Sequence, residues 1–168
     1  MQKVMGTTFV TLTHGVSGNE PGFWMRDGML ELWLRLLALH LPEPTDSGGH
    51  QATLEIRNQW LLASSGYFVG CVPHGMEDAC ATQEGREVVR IAIDSLLEAL
   101  RRAPTPLDSD TLNLLGVEGI QFAPIERKWF QEIGHAFLDL LDGQFNCTAS
   151  STDVMPGAKP YKRSIING

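Results

Sequence analysis

The chain has 168 residues, of which 43% are hydrophobic and 20% charged, a composition typical of a folded globular protein rather than a disordered one. This length predicts a single domain over 1–168, with 1–20 and 144–168 as largely non-helical terminal segments. The formal net charge of -7 disfavours nucleic acids and anionic membranes as partners, because phosphate groups are bound by concentrated positive charge.

The N-terminal part of the chain predicts a short strand followed by a long apolar helix. Alternating β-branched residues over 7–12 favour a strand. Leucines and Trp33 at helical spacing predict the first helix over 22–41. Asp27, Glu31 and Arg35 recur every four residues, so we expect them to form the narrow solvent-exposed edge of this helix.

Three further segments have helical patterns. Helices are predicted over 50–64, over 83–103 with Thr82 as the N-cap, and from Pro124 to the residue before Gly143. Asp108 or Ser109 is suited to cap a short additional helix, and a brief helical turn is expected over 76–81. The predicted fold is mainly α, a compact cluster of four to five helices with at most a small accessory β-sheet from the regions of Thr7, Tyr67 and Phe145.

The cysteine content and the hydropathy pattern predict a cytoplasmic protein. Cys71, Cys80 and Cys147 are odd in number and have no framework spacing, which favours free thiols in a reducing compartment. The N-terminus has no apolar core of a secretory signal. The longest apolar stretch, 23–41, contains four charged residues, so we expect no membrane span.

The segment 71–80 is the most compact set of reactive side chains. Cys71, His74, Glu77 and Cys80 could supply thiolate, imidazole and carboxylate ligands to a metal. Alternatively, Cys71 could act as a nucleophile with His74 as its base. A third interpretation, which we favour from the sequence, treats Cys71 and Cys80 as small buried hydrophobic residues beside a turn.

A second candidate pair lies in the last predicted helix. His135 and Asp139 are four residues apart, so they share one face, which we expect to be solvent-exposed. Such a pair can orient an imidazole for acid–base chemistry or provide two metal ligands. A solvated helix face commonly carries such pairs without a function, and we therefore predict neither a metal nor a cofactor.

The charge distribution and the absence of a complete catalytic set favour a binding function. Acids outnumber bases over 103–142, whereas bases outnumber acids over 143–168. We expect a non-catalytic protein-binding domain, of the kind found in small bacterial inhibitors and immunity-type proteins, that presents an acidic helical surface to a basic protein partner. The alternative is a small enzyme that uses Cys71 and His74, or a metal held by His74 or His135. We expect a monomer or a weak homodimer. In the dimer, the basic segment 159–163 of one copy would be attracted to the acidic region of its neighbour.

Overall fold

The computed structural model describes residues 6–15, 17–43, 49–66, 68–102 and 125–158. Within these ranges it contains five helices and one two-stranded antiparallel sheet, so the prediction of a mainly α fold with a small accessory sheet is confirmed. The described elements are β1 (Thr7–Thr11), β2 (Gly22–Arg26), α1 (Asp27–Leu39), α2 (Gly49–Ala63), α3 (Met76–Ala79), α4 (Gln83–Arg102) and α5 (Arg127–Leu141).

The sheet corrects the prediction for the start of the first helix. Residues 22–26 were expected to be helical, but they form β2, which pairs with β1 in a register that places Phe9 opposite Trp24. The two rings pack with their centroids 5.3 Å apart, a cross-strand aromatic contact that stabilises such pairs. The helix begins at Asp27, directly after the strand.

Non-helical segments cover both edges of the sheet. Along β2, the Gly22 amide donates to the Cys147 carbonyl at 2.9 Å, and the Trp24 indole donates to the Ala149 carbonyl at 2.7 Å. Along β1, the Phe9 carbonyl accepts a hydrogen bond from the His74 ring. The sheet is therefore held between the segment 144–158 on one side and the segment 68–75 on the other.

Helix α1 occupies the centre of the protein. It contacts α2, α4 and both strands, and ten of its thirteen residues are buried. Trp33 on this helix packs against Phe137 of α5, whose ring also meets Phe23 of β2 edge-on at 5.2 Å. These large apolar side chains join the sheet and the helices in one continuous core.

Helices α4 and α5 agree closely with the sequence predictions. Thr82 caps α4, since its hydroxyl accepts a hydrogen bond from the Gly85 amide at 3.0 Å. Five large apolar residues at helical spacing on α5 are buried: Phe130, Ile133, Phe137, Leu140 and Leu141. The two helices pack closely where Gly134 lies against Leu97.

Several predicted features lie outside the described residues. These are Tyr67, the short helix expected after Asp108 or Ser109, and the basic segment 159–163. The last helix, predicted to begin at Pro124, begins instead at Arg127, because Ile125 and Glu126 are not helical. Among the helices that are described, none combines the length and the apolar character required to cross a membrane.

Candidate functional site

The reactive side chains of the segment 71–80 do not share one environment. Cys71 is exposed, whereas His74 and Cys80 are buried. The expectation that Cys71 is a buried packing residue is therefore wrong, while the same expectation for Cys80 is confirmed. Burial raises the pKa of the Cys80 thiol to about 11, against the opposing effect of the nearby Arg86 guanidinium. Cys80 is thus a protonated, inert thiol at neutral pH.

Both ring nitrogens of His74 are bonded to the main chain. Nδ1 accepts a hydrogen bond from the Met76 amide at 3.1 Å, so Nε2 carries the proton that it donates to the Phe9 carbonyl at 3.2 Å. Burial lowers the pKa of the imidazole, while the carboxylate of Glu77, 3.7 Å from Nδ1, partly opposes this effect. His74 would have to lose a main-chain hydrogen bond to accept a proton from Cys71 or to bind a metal.

The pair predicted on the last helix is divided between solvent and interior. His135 is exposed as expected, but Asp139 is 5% exposed and belongs to the buried polar residues, which corrects its predicted position. Across the five described ranges, no three His, Cys, Asp or Glu side chains converge to form a metal site.

The charged residues of α1 also depart from their predicted positions. Asp27 is 4% exposed and Glu31 is fully buried, although both were expected on a solvent-exposed edge. Arg35 is half-buried, and its guanidinium donates to the Ser64 carbonyl after α2. Because α1 is surrounded by other elements, its polar face meets protein rather than water.

Asp27 joins the sheet to the segment 68–75. One carboxylate oxygen accepts a hydrogen bond from the Thr8 hydroxyl at 2.7 Å, and the other accepts one from the Gly70 amide at 2.7 Å. The same Thr8 oxygen accepts a hydrogen bond from the Val72 amide at 2.9 Å. This buried network fixes the path of the chain that leads to His74 and α3.

A groove of about 400 Å³ lies where α2, α3 and the start of α4 meet. The size is typical of sites that receive a side chain or a small ligand. Its lining residues are Gln51, Ala52, Glu55, Ile56, Gln59, Trp60, Gly75, Asp78, Ala79, Thr82, Glu84 and Gly85. The segment 71–80 therefore does contribute to a candidate site, but through Gly75, Asp78 and Ala79 rather than through its cysteines or His74.

The groove is acidic. Glu55, Asp78 and Glu84 are exposed carboxylates, one from each of the three helices, and no lysine or arginine is among the lining residues. Gln51 donates to Glu55 at 2.7 Å, and His14 lies 2.8 Å from Asp78. Ala52, Ile56 and Ala79 also line the groove, so part of its wall is apolar.

Two glycines allow the close packing that shapes the groove. A β-carbon on Gly85 would lie 1.8 Å from the Ala79 carbonyl oxygen, so the α3–α4 corner cannot accept any side chain there without moving backbone. Gly75 has φ of 64°, a left-handed conformation that favours glycine. Next to it, the Gln59 amide donates to the Pro73 carbonyl at 2.5 Å, which ties α2 to the start of α3.

The groove could not be predicted from the sequence, because its carboxylates belong to three separate segments. Each is an ordinary polar residue on a helix, and no local spacing indicates that they converge. Comparison with protein-family models, with curated proteins and with solved structures gives no match to the chain. The candidate site therefore rests on its own geometry.

Proposed function

We propose that the protein is a non-catalytic binding domain whose groove between α2, α3 and α4 receives the cationic surface of a basic protein partner. One observation carries the proposal. Three exposed carboxylates surround a concave, partly apolar site that no lysine or arginine lines. Opposite charge on a partner would be attracted to this site and would find no competing cation among its lining residues.

The lining suits lysine or arginine side chains in particular. These residues have long apolar stems and charged heads, so they bind where a hydrophobic surface ends at carboxylates. Ala52 and Ile56 on α2 and Ala79 on α3 supply the apolar part of the groove, and Glu55 and Asp78 supply acceptors beside it. The amides of Gln51 and Gln59 add hydrogen-bonding groups without positive charge.

The proposed class is a small inhibitor or immunity-type protein, which blocks a basic partner by covering its surface. The likeness to such proteins concerns only the way in which they bind a partner, since a fold alone does not specify a function. We place the protein in the cytoplasm, and the support is that Cys71, Cys80 and Cys147 are all free thiols, as a reducing compartment favours.

The geometry gives less support to an enzyme. His74, the proposed base for Cys71 or ligand for a metal, uses both nitrogens in hydrogen bonds to the main chain. His135 is exposed, and the neighbouring Asp139, expected to share its face, is buried. His74 therefore has no free ring nitrogen to serve as a base for Cys71.

Peptide binding tests the proposal. Fluorescein-labelled octa-lysine and octa-arginine are titrated with the protein at low salt, and binding is followed by fluorescence anisotropy. The variant Glu55→Gln/Asp78→Asn/Glu84→Gln removes the three groove carboxylates. We expect it to weaken binding by roughly tenfold or more, about 1.4 kcal/mol, as the loss of several modest charge interactions would give.

A matched variant separates the groove from the general acidity of the protein. Glu43→Gln/Asp94→Asn/Asp153→Asn removes the same number of negative charges from exposed positions outside the groove. Both triple variants are also compared at about 0.15 M salt, where exposed charges separated by more than about 8 Å are largely screened, and there we expect the control to retain binding within about threefold. Equal losses in the two triple variants, or no peptide binding at low salt, would overturn the proposal.

A further inference from the structure

His74 lies at the junction of β1, α2 and α3. Its side chain is 4% exposed and links the Phe9 carbonyl of β1 to the Met76 amide, the first amide of α3. No side chain of the N-cap residue, Gly75, accepts a hydrogen bond from this helix. The imidazole therefore takes the part of a cap for a four-residue helix that has few hydrogen bonds of its own.

These two hydrogen bonds require the neutral ring. The donor to Phe9 is Nε2, and the acceptor for Met76 is the lone pair of Nδ1. Protonation puts a hydrogen on Nδ1 as well. Two nitrogens that lie 3.1 Å apart, the Met76 amide and Nδ1, would then both carry a hydrogen, and the bond that caps α3 would be lost.

One carboxylate is placed to stabilise the charged ring. Glu77 of α3 has Oε2 3.7 Å from Nδ1, and its side chain is 24% exposed. The other elements around the ring supply main-chain or neutral groups: β1 supplies the Phe9 carbonyl, and Gln59 of α2 binds Pro73. The Arg86 guanidinium of α4 donates to the Cys80 carbonyl at 2.9 Å.

The charged groups on the β1 side are engaged elsewhere. The Asp27 carboxylate is held by the Thr8 hydroxyl and the Gly70 amide. Glu77 is therefore the carboxylate to which a protonated His74 ring would turn.

We propose that His74 is a pH-sensitive switch that controls the groove: protonation exchanges the Met76 hydrogen bond for an ion pair with Glu77 and loosens α3. This inference deepens the proposed function, on which it rests, because Gly75, Asp78 and Ala79 of the α3 region line the groove. Acidification that protonates the ring then weakens the binding of a cationic partner, because the region that contributes Gly75, Asp78 and Ala79 to the groove is loosened.

The expected dependence of stability on pH has the same direction as the proposed switch. Burial lowers the pKa of His74 in the fold, so the unfolded chain binds a proton more readily than the folded one does. The free energy of unfolding therefore decreases as the pH falls below the ordinary histidine value of about 6.5, and it continues to decrease until the folded ring is protonated.

Nuclear magnetic resonance of the full chain tests the switch directly. Long-range ¹H–¹⁵N correlations of the His74 ring, together with the Met76 amide, are recorded between pH 7.5 and 4.5. We expect the Nε2-protonated tautomer at pH 7.5, and a Met76 amide shift that follows the ring as it titrates. Glu77→Gln should move this titration to lower pH, because it removes the carboxylate that stabilises the charged ring.

Binding of the octa-lysine peptide provides the functional measurement. His14 is first replaced by Gln in every protein, because it is exposed and lies beside Asp78. Between pH 7.5 and 5.0 we expect the His14→Gln protein to lose affinity at least threefold more than His14→Gln/His74→Gln, in which the side chain at 74 keeps a donor and an acceptor but does not titrate.

The outcomes separate the two proposals. Failure of the peptide to bind at pH 7.5 would count against the proposed function and leave the ring measurements to decide the switch. A ring that is protonated on Nδ1 at pH 7.5, that stays neutral down to pH 4.5, or that titrates without a change at Met76 would overturn the switch. Equal losses of affinity with and without His74 would overturn its link to the groove.

Discussion

Replacement of Asp27 by Asn tests whether the buried network that holds the segment 68–75 is a major source of stability. The carboxylate accepts hydrogen bonds from the Thr8 hydroxyl and the Gly70 amide, each at 2.7 Å. An asparagine has one oxygen, so it can serve one donor and turns its own amide group toward the other. The loss of one hydrogen bond to a charged acceptor costs about 1.5–3 kcal/mol, and an unsatisfied buried donor adds about 1–3 kcal/mol.

We therefore expect Asp27→Asn to lower the free energy of unfolding by about 3 kcal/mol, a large part of the roughly 5–15 kcal/mol that stabilises a domain. Urea denaturation at pH 7 measures this through the transition midpoint at constant slope. Asp94→Asn is the control, because Asp94 is exposed on α4 and such changes cost under about 0.5 kcal/mol.

A double-mutant cycle with Thr8→Val refines the test. The Thr8 hydroxyl donates to Asp27 and accepts from the Val72 amide, so the two substitutions disturb one network. We expect their effects to be non-additive by about 1 kcal/mol or more, as is common for residues that share hydrogen bonds. A loss below about 0.5 kcal/mol for Asp27→Asn, or additive single effects, would refute the reasoning.

Two further predictions address the core and the thiols. Leu96→Ala should lower the free energy of unfolding by about 3 kcal/mol, because Leu96 is 2% exposed. Ile91→Ala on the same helix should cost under about 1 kcal/mol, because Ile91 is 50% exposed. Equal urea midpoints for the two variants would contradict the assigned buried face. In timed alkylation followed by mass spectrometry, Cys71 should react first because it is exposed. Cys80 and Cys147 are buried and should react only as the fold opens. If Cys71 reacts much faster than a free thiol, the result would instead support the enzyme alternative.

The helices that end at clear local signals could be predicted from the sequence. Helix α4 has a regular apolar spacing, a threonine that caps its start and arginines in its last turn, and its observed bounds are within one residue of those predicted. Strand β2 could not be predicted in the same way. Its apolar residues, 23–25, form a run that is too short for its periodicity to distinguish a strand from the first turn of the helix that follows.

Side-chain burial was the least predictable property. The spacing of Asp27 and Glu31 is that of an exposed helix face, but α1 is surrounded by other elements, so both acids are buried. Asp139 was likewise expected on a solvent-exposed face and is buried. Nothing local distinguishes the exposed Cys71 from the buried Cys80, because burial depends on which distant segment covers each one.

The covered edges of the sheet limit the ways in which copies of this protein can join. An open strand edge invites another chain to add a strand, which leads to domain swapping or to fibres. Here the segment 144–158 occupies one edge through the bonds at Gly22 and Trp24, and the segment 68–75 occupies the other. We expect displacement of 144–158 to open the Gly22 end of β2 to strand exchange, so the contacts of this irregular segment have a second consequence besides completing the core.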